Sequence, residues 1–511
     1  MTRQQQWERL QEEADFDVAI LGGGVNGACL YDTLCRHRYK VLLIERGDFA
    51  SGSSQSSGMM VWGGLLYLKN FDFSTVLQLS HDRDRMIAQK ASWMKPTMMR
   101  LISSAKDRRA AWWLYSGLWF YWLMGVGCRH KPYIEAAFPE MAMLRPGVAQ
   151  KSLCYEEAFL NESDARFVFR WIAAQRTPGQ IALNYCYAHG SYATKEKRWH
   201  LELTDALSGS THKIRAAMVV NCAGVWTDRV NAEFGIDSPF RHVLSKGVYL
   251  GLPRSGEHHS SLFFELNDQD DVITHVPWGP IALWGPTETP VQGIEEGFST
   301  TREDIDFLLE QYALRYREPI GADDVVSVRC GIRPLVVDKS YTLDCYPLDL
   351  SRRQEIVQHH DKPWISCYGG KLTGCMHMAE MALQRIKRSV APTGEAGNGV
   401  PDGEMHVRKT RFPCIDQPVV SPAWSVEHEQ CCTLEDYLRR RTNIAQWTAC
   451  GGLGKNDAYA RTLRDIALEI AGGEAQRAAR LFDDYRKKMM NSLSPLFTES
   501  KLPETVSRHI P

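Results

Sequence analysis

Several absences narrow the field before any motif is considered. The fourteen cysteines include no Cys-x-x-Cys pair, and their intervals form no regular framework. A disulfide scaffold is therefore not expected, nor a metal centre, and reduced thiols in a cytoplasmic protein are. Charge of one sign is not in excess, with 60 Lys and Arg against 61 Asp and Glu. Nothing in that balance draws the chain to nucleic acid. The first residues, Met1 to Asp15, are polar and rich in Glu and Gln, and they lack the apolar core of a signal peptide. Long uncharged runs are also scarce. The exception is Ala110 to Cys128, into which Trp112, Trp113, Tyr115, Trp119, Tyr121 and Trp122 crowd. It is barely long enough to cross a bilayer, and its aromatics run through the middle, whereas a span concentrates them at its ends. Three readings stay open: a buried aromatic helix, a membrane span, and a helix lying in a membrane interface between Arg108, Arg109, Arg129 and Lys131.

What is present fills 511 residues, of which 44% are hydrophobic and 24% charged, the profile of a globular protein of two or three domains. Its organising stretch is Val18 to Gly27: a short apolar run feeds Gly22-Gly23-Gly24-Val25-Asn26-Gly27, and a helical pattern follows to Arg38. The next apolar run, Val41 to Ile44, ends at Glu45 and Arg46. Gly22 makes the tight turn, and Gly24 lets backbone amides approach a pyrophosphate at the helix start. Gly27 lets helix and strand pack closely, while the acid after the second strand binds a ribose hydroxyl. This combination specifies a dinucleotide site without deciding between FAD and NAD.

Downstream, Ser51 to Gly58 is a loop of small polar residues leading to Gly63-Gly64-Leu65-Leu66-Tyr67. Ser53, Ser54 and Ser57 can lie along a diphosphate and ribityl chain; a flexible linker is the alternative. Asp72 to Met99 reads as helical. Met218 to Asn221 reads as a buried strand ending in the small-residue turn Cys222-Ala223-Gly224, with Trp226 beyond it. Arg241 to Pro286 reads as antiparallel sheet and Thr301 to Arg317 as a helix. Trp364 to Thr373 reads as a strand, a glycine turn and the start of a helix running from Met376 to Val390. The amides at Gly370, Lys371, Leu372 and Thr373 would carry positive partial charge. Ala391 to Gly403 reads as a linker, and Thr433 to Met490 as a helical tail.

The order of these motifs, with Asn221-Cys-Ala-Gly224-Val-Trp226, Lys246-Gly247, Gly331-Ile-Arg-Pro334 and Gly369-Gly-Lys-Leu-Thr373, resembles the FAD-dependent glycerol-3-phosphate dehydrogenases of the D-amino-acid-oxidase-like superfamily. The resemblance implies an α/β FAD-binding domain of the glutathione-reductase-like Rossmann type, an antiparallel-sheet substrate domain and a C-terminal α-helical domain. It assigns 16–100, 150–235 and 330–392 to the first, 101–149 and 236–329 to the second, and 405–511 to the third. It further implies FAD as cofactor, a small anionic substrate and a quinone as electron acceptor. It also implies a cytoplasmic protein peripheral to the membrane, in contact with it through 110–128. The chain departs from the family pattern where His-Gly-Gly-Leu-Arg-Tyr becomes Trp62-Gly-Gly-Leu-Leu66-Tyr67, where a histidine becomes Tyr249, and where an Arg-Asp-Tyr becomes Lys339-Ser-Tyr341.

Arg333 is the candidate anchor for the substrate's anionic group, with a structural salt bridge as the alternative. Lys371 is the candidate for stabilising negative charge on the reduced flavin, with a lysine that caps a loop or meets solvent as the alternative. Tyr249 and Tyr67 are the candidate proton acceptors, on condition that a nearby lysine depresses their pKa. Trp62, Trp278 and Trp284 either narrow the pocket or belong to the core. The function expected is dehydrogenation of a small anionic alcohol, with amine or amino-acid oxidation as the alternative and a non-catalytic flavin-binding protein as a further one.

Overall fold

A computed structural model describes residues 2–104, 111–125, 130–173, 177–266, 271–341, 353–397 and 407–497. The apolar runs Asp15–Leu21 and Val41–Ile44 are buried on both faces, as parallel strands covered by other layers are. They lie at the centre of an eight-stranded sheet ordered Glu355–Gln358, Trp364–Tyr368, Thr211–Asn221, Asp15–Leu21, Val41–Ile44 and Gln180–Leu183. Thr211–Asn221 serves twice. Its first half pairs antiparallel with Arg198–Asp205, and its second half runs parallel to Asp15–Leu21 and Trp364–Tyr368. The helix Val25–Arg36 packs between Asp164–Ile172 and Cys375–Lys387. Another apolar cluster joins the sheet to Trp199 and Leu201 and to Trp7 and Leu10 of the helix Arg3–Glu12.

The second sheet has ten strands, and its middle is the antiparallel meander expected between Arg241 and Pro286. Ser327–Asp338 pairs along Phe240–Pro253, bringing Arg333 opposite Ser245. Met94–Ser103 and Lys151–Leu160 extend the sheet. Two expectations change here. The helix expected over Asp72 to Met99 ends at Gln89, and a strand begins at Met94. Pro96 explains this, because it has no amide to donate and its ring disfavours helix in the residue before it. The divisions expected near residues 101, 150 and 330 fall within or beside strands of this larger sheet. Lys151–Leu160 and Ser327–Asp338 thus belong with the meander, not with the parallel sheet.

The uncharged aromatic stretch is a helix, Ala111–Met124. At about 1.5 Å per residue it is roughly 21 Å long, short of the roughly 30 Å hydrocarbon core. Among the described residues no helix is long and apolar enough to cross a membrane. It is not a buried helix either: Leu118 and Tyr121 face inward, but Trp112 is 71% and Leu123 63% exposed. Arg108, Arg109 and Arg129 lie outside the described residues.

The C-terminal region has its own apolar core, formed by helices that include Ala460–Ile470 and Ala475–Leu493 and by a hairpin, Lys409–Phe412 with Ile415–Val420, that the helical reading did not anticipate. The region is bolted to the rest through Asp48, three residues beyond Glu45. The Asp48 carboxylate accepts from Arg440 Nε (2.6 Å), Arg441 Nη1 and Nη2 (2.7 and 2.8 Å) and Asn184 Nδ2 (2.8 Å), all buried. Burial alone would raise its pKa, but the Arg441 and Arg440 guanidiniums outweigh burial and hold it well below the usual carboxylate range. A depressed carboxylate stabilises the fold above its unfolded pKa of about 3.9, and that contribution is lost as pH falls through the folded value. Asp48→Asn strips the counter-charge from two buried arginines and should destabilise the chain by about 3–5 kcal/mol. Urea unfolding checks this, and an unchanged midpoint would mean that the junction is held by packing alone.

Candidate functional site

The glycine turn closes tightly for reasons that differ residue by residue. Gly22 has φ +109°, and a Cβ there would stand 2.6 Å from the Cys222 carbonyl oxygen. A Cβ on Gly27 would overlap the Gly22 carbonyl oxygen, so this glycine lets helix and strand meet. Gly24 is different: its φ is −77°, and the only neighbour a Cβ would meet is Ser54 Oγ at 3.2 Å. The space beside it is thus open to a ligand rather than filled by the chain. Ser54 Oγ accepts from Val25 N (3.0 Å) at the start of the helix, and Asn26 Nδ2 donates to Gly369 O (3.2 Å), joining the first turn to the last. The Glu45 carboxylate accepts from Gly23 N and Gly47 N, each 2.7 Å. Burial raises its pKa while those two amides oppose the rise.

These turns border a cavity of about 1100 Å³. Of the residues expected to bind a cofactor, Gly22, Gly24, Val25, Asn26, Glu45, Arg46, Ser53, Ser54, Ala223, Gly224, Trp226 and Gly370 line it. Trp226 stacks on Phe298 at 5.6 Å. The others hold the frame. Ser57 donates through N and Oγ to Asp164, 2.8 Å each, and Asp164 is paired with Arg329 at 2.7 Å. Thr373 Oγ1 accepts from Trp62 N (2.9 Å) and donates to Trp62 O (3.1 Å). Gly63 N donates to Glu157 Oε2 (3.2 Å), and the same carboxylate is bonded to Arg83 (2.7 Å) and to the Tyr121 hydroxyl. Gly64, at φ +86°, turns the chain toward Tyr67, and Leu372 packs on the main core. The loop from Trp62 to Tyr67 is thus clamped from two sheets and from the aromatic helix. Residues 370–373 are not a helix start, because Gly374 caps a helix that begins at Cys375. The amides expected there are loop amides, and Lys371 Nζ lies 4.0 Å from the centre of the Tyr67 ring.

The substrate side differs more from expectation. Arg333 lies against Gly247 and is ion-paired with Glu288 (2.8 Å), so it is not a solitary cation. Its Nη1 bonds Glu288, Lys246 O and Thr287 O, and a quarter of the side chain (25%) remains exposed. Lys246 is sealed against Asp304 at 2.6 Å. Tyr249 does not meet the condition for a proton acceptor: burial raises its pKa, and Arg333 and Arg329 reverse that only in part. Trp284 and Trp278 are core residues. The first donates Nε1 to Leu308 O (2.7 Å), and the second lies under Arg329. The sequence reading missed Glu288, Glu157, Asp164 and His242, whose Nε2 accepts from Gly369 N (3.1 Å) while its Nδ1 lies 3.3 Å from Asp228. Each is a charge or ring paired with a residue far away in the chain, for which no local pattern exists.

A family model described as FAD dependent oxidoreductase (DAO) matches residues 17–374. The glycerol-3-phosphate dehydrogenase of Pseudomonas tolaasii is 27% identical over 401 residues, covering 76% of this chain and 75% of that protein. The aerobic glycerol-3-phosphate dehydrogenase of Escherichia coli K12 is 25% identical over 425 residues, covering 78% and 81%. The crystal structure of the Bacillus halodurans glycerol-3-phosphate dehydrogenase complexed with FAD matches 97% of this chain and 99% of its own, with a TM-score of 0.70 and 18% identity, and shares its fold. The cavity fits FAD on its own geometry: amides at a helix start, an uncrowded Gly24, the acid Glu45 and the Gly369–Gly370 turn all border it.

Gly27→Ala should abolish flavin retention, because the new methyl group forces the turn open. Full visible flavin absorbance in the purified variant would contradict this. Glu157→Gln removes the charge matched to Arg83 and loosens the Gly63 amide. It should reduce kcat at least about tenfold while the flavin stays bound; wild-type turnover would dissociate the clamp from catalysis.

Proposed function

This chain belongs to the FAD-dependent oxidoreductase family, and on that footing we propose that it dehydrogenates a small anionic alcohol related to glycerol 3-phosphate, in a pocket rebuilt around Arg333. Bound FAD supplies the oxidant, accepting a hydride from the substrate. The observation carrying the reading is the Arg333 fork, paired with Glu288 through Nη1 and still partly exposed, while the neighbouring Lys246 is sealed. An arginine so held offers its remaining donors to a planar anionic group. Glu288, beside the anchor and also accepting from Ser245 Oγ, takes the place of Tyr249 as the candidate proton acceptor. Lys371, next to Gly370, brings positive charge toward that end of the cavity. Leu66 and Trp62 supply no charge, so the site suits one anionic group better than a phosphate gripped from several sides.

The Arg333–Glu288 pair also favours a second reading, a zwitterionic amino acid with its carboxylate on Arg333 and its ammonium on Glu288. Anaerobic bleaching of the bound flavin separates the two. Reduction by glycerol 3-phosphate or a related hydroxy anion supports the first, reduction by amino acids alone supports the second, and no reduction across either panel refutes both. Arg333→Ala should raise KM more than about tenfold with flavin retained. An unchanged KM would remove Arg333 from substrate binding.

We further infer a peripheral position on the cytoplasmic membrane face, with a quinone as electron acceptor. Phe71, Phe73 and Phe120 touch in series at 6.1 and 5.7 Å, and with Trp112, Trp113 and Leu123 they leave an exposed aromatic surface. Co-sedimentation with anionic vesicles should fall severalfold when Trp112, Trp113 and Leu123 are all changed to Ser. Equal partitioning of the variant and the parent would refute membrane contact by this helix.

A further inference from the structure

The cations at the junction between the cavity and the C-terminal region are matched one by one. Arg440 meets Asp48 and Asp436, Arg441 meets Asp48, Arg329 meets Asp164, and Lys488 meets Glu435. Arg439 is the exception among the described residues. It forms no ion pair, its Nη2 donates to the Gln55 carbonyl, and its Nη1 is buried without a hydrogen-bond partner. The residue lines the cavity beside Gln55 and Ser56. Burial and then repulsion from Arg329, opposed by Asp164 and Glu435, push its pKa down to about 9. A guanidinium partly withdrawn from water with no carboxylate bonded to it is costly, and the cavity it borders is where an anion can enter. Gln55 follows Ser54, whose hydroxyl already takes the Val25 amide at the helix start, so Arg439 reaches the loop that closes the phosphate-binding turn.

We propose that Arg439, contributed by the C-terminal helical region, is an anion-binding residue of the cavity that takes a phosphate-class group, either the diphosphate of FAD or the anionic group of the substrate. The proposal rests on the reading of the cavity as the flavin site. The full-length chain, stripped of flavin, is titrated with FAD as wild type and as Arg439→Gln, and thermal unfolding is followed with and without FAD and with inorganic phosphate. Removing a charge with no carboxylate bonded to it should leave the flavin-free Tm equal to or above wild type. The rise in Tm produced by inorganic phosphate should disappear in the variant under either assignment. A diphosphate contact raises the Kd for FAD at least about tenfold. A substrate contact leaves that Kd unchanged and raises the holoenzyme KM by a similar factor. Arg439→Lys should recover part of whichever effect is seen. A flavin-free variant that is less stable, with FAD affinity, phosphate response and KM all unchanged, would overturn the proposal and reduce Arg439 to a tie on Gln55. Error in the flavin reading shows separately, as no FAD uptake by the wild-type chain, and the phosphate response then decides for or against Arg439.

Discussion

One buried carboxylate fixes how the parts of this chain meet. Asp48 stands just past the acid of the dinucleotide turn and gathers two adjacent arginines from a region nearly four hundred positions later. The attraction acts at short range in a dry place, where opposite charges are strongest and an unpaired one is least tolerable. Because the arginines are consecutive residues of a π-helical turn, Asp436–Arg441, holding them also sets the position of the residue before them. The C-terminal helices are therefore a wall of the cavity and not an appendage to it.

The cofactor half of the molecule was legible in the sequence because its rules are local. A strand, a glycine turn and a helix are consecutive in the chain, and the acid that follows ends the next strand. The steric demand on Gly27 arises within the same unit, from the Gly22 carbonyl, whereas Gly22 itself is confined by Cys222 at the end of a neighbouring strand. The substrate half was less legible for the opposite reason. Whether Arg333 is open or neutralised depends on Glu288, which arrives on the turn between Ile281–Gly285 and Thr289–Val291, and whether Tyr249 can ionise depends on how deeply the sheet buries it. The break after Gln89 carried a readable sign in Pro96, which was outweighed by helical periodicity on either side. The aromatic stretch left its readings open because burial and exposure divide a single helix between its faces.

Charge in the substrate sheet is distributed sparingly. Lys246 is consumed by Asp304, and Arg333 is shared with Glu288, so the strands present balanced pairs where a polyanion would need surplus cations. Among the described residues, Arg439 is the cavity-lining cation at the C-terminal junction that forms no ion pair.

The Glu157 carboxylate lies within a triangle of Arg83, Tyr121 and the Gly63 amide, with Tyr121 on the inner face of the aromatic helix. A tilt of that helix therefore pulls on a backbone hydrogen bond beside Trp62 and Tyr67. The exposed outer face of the helix and the Gly63 amide are thus linked through one buried carboxylate.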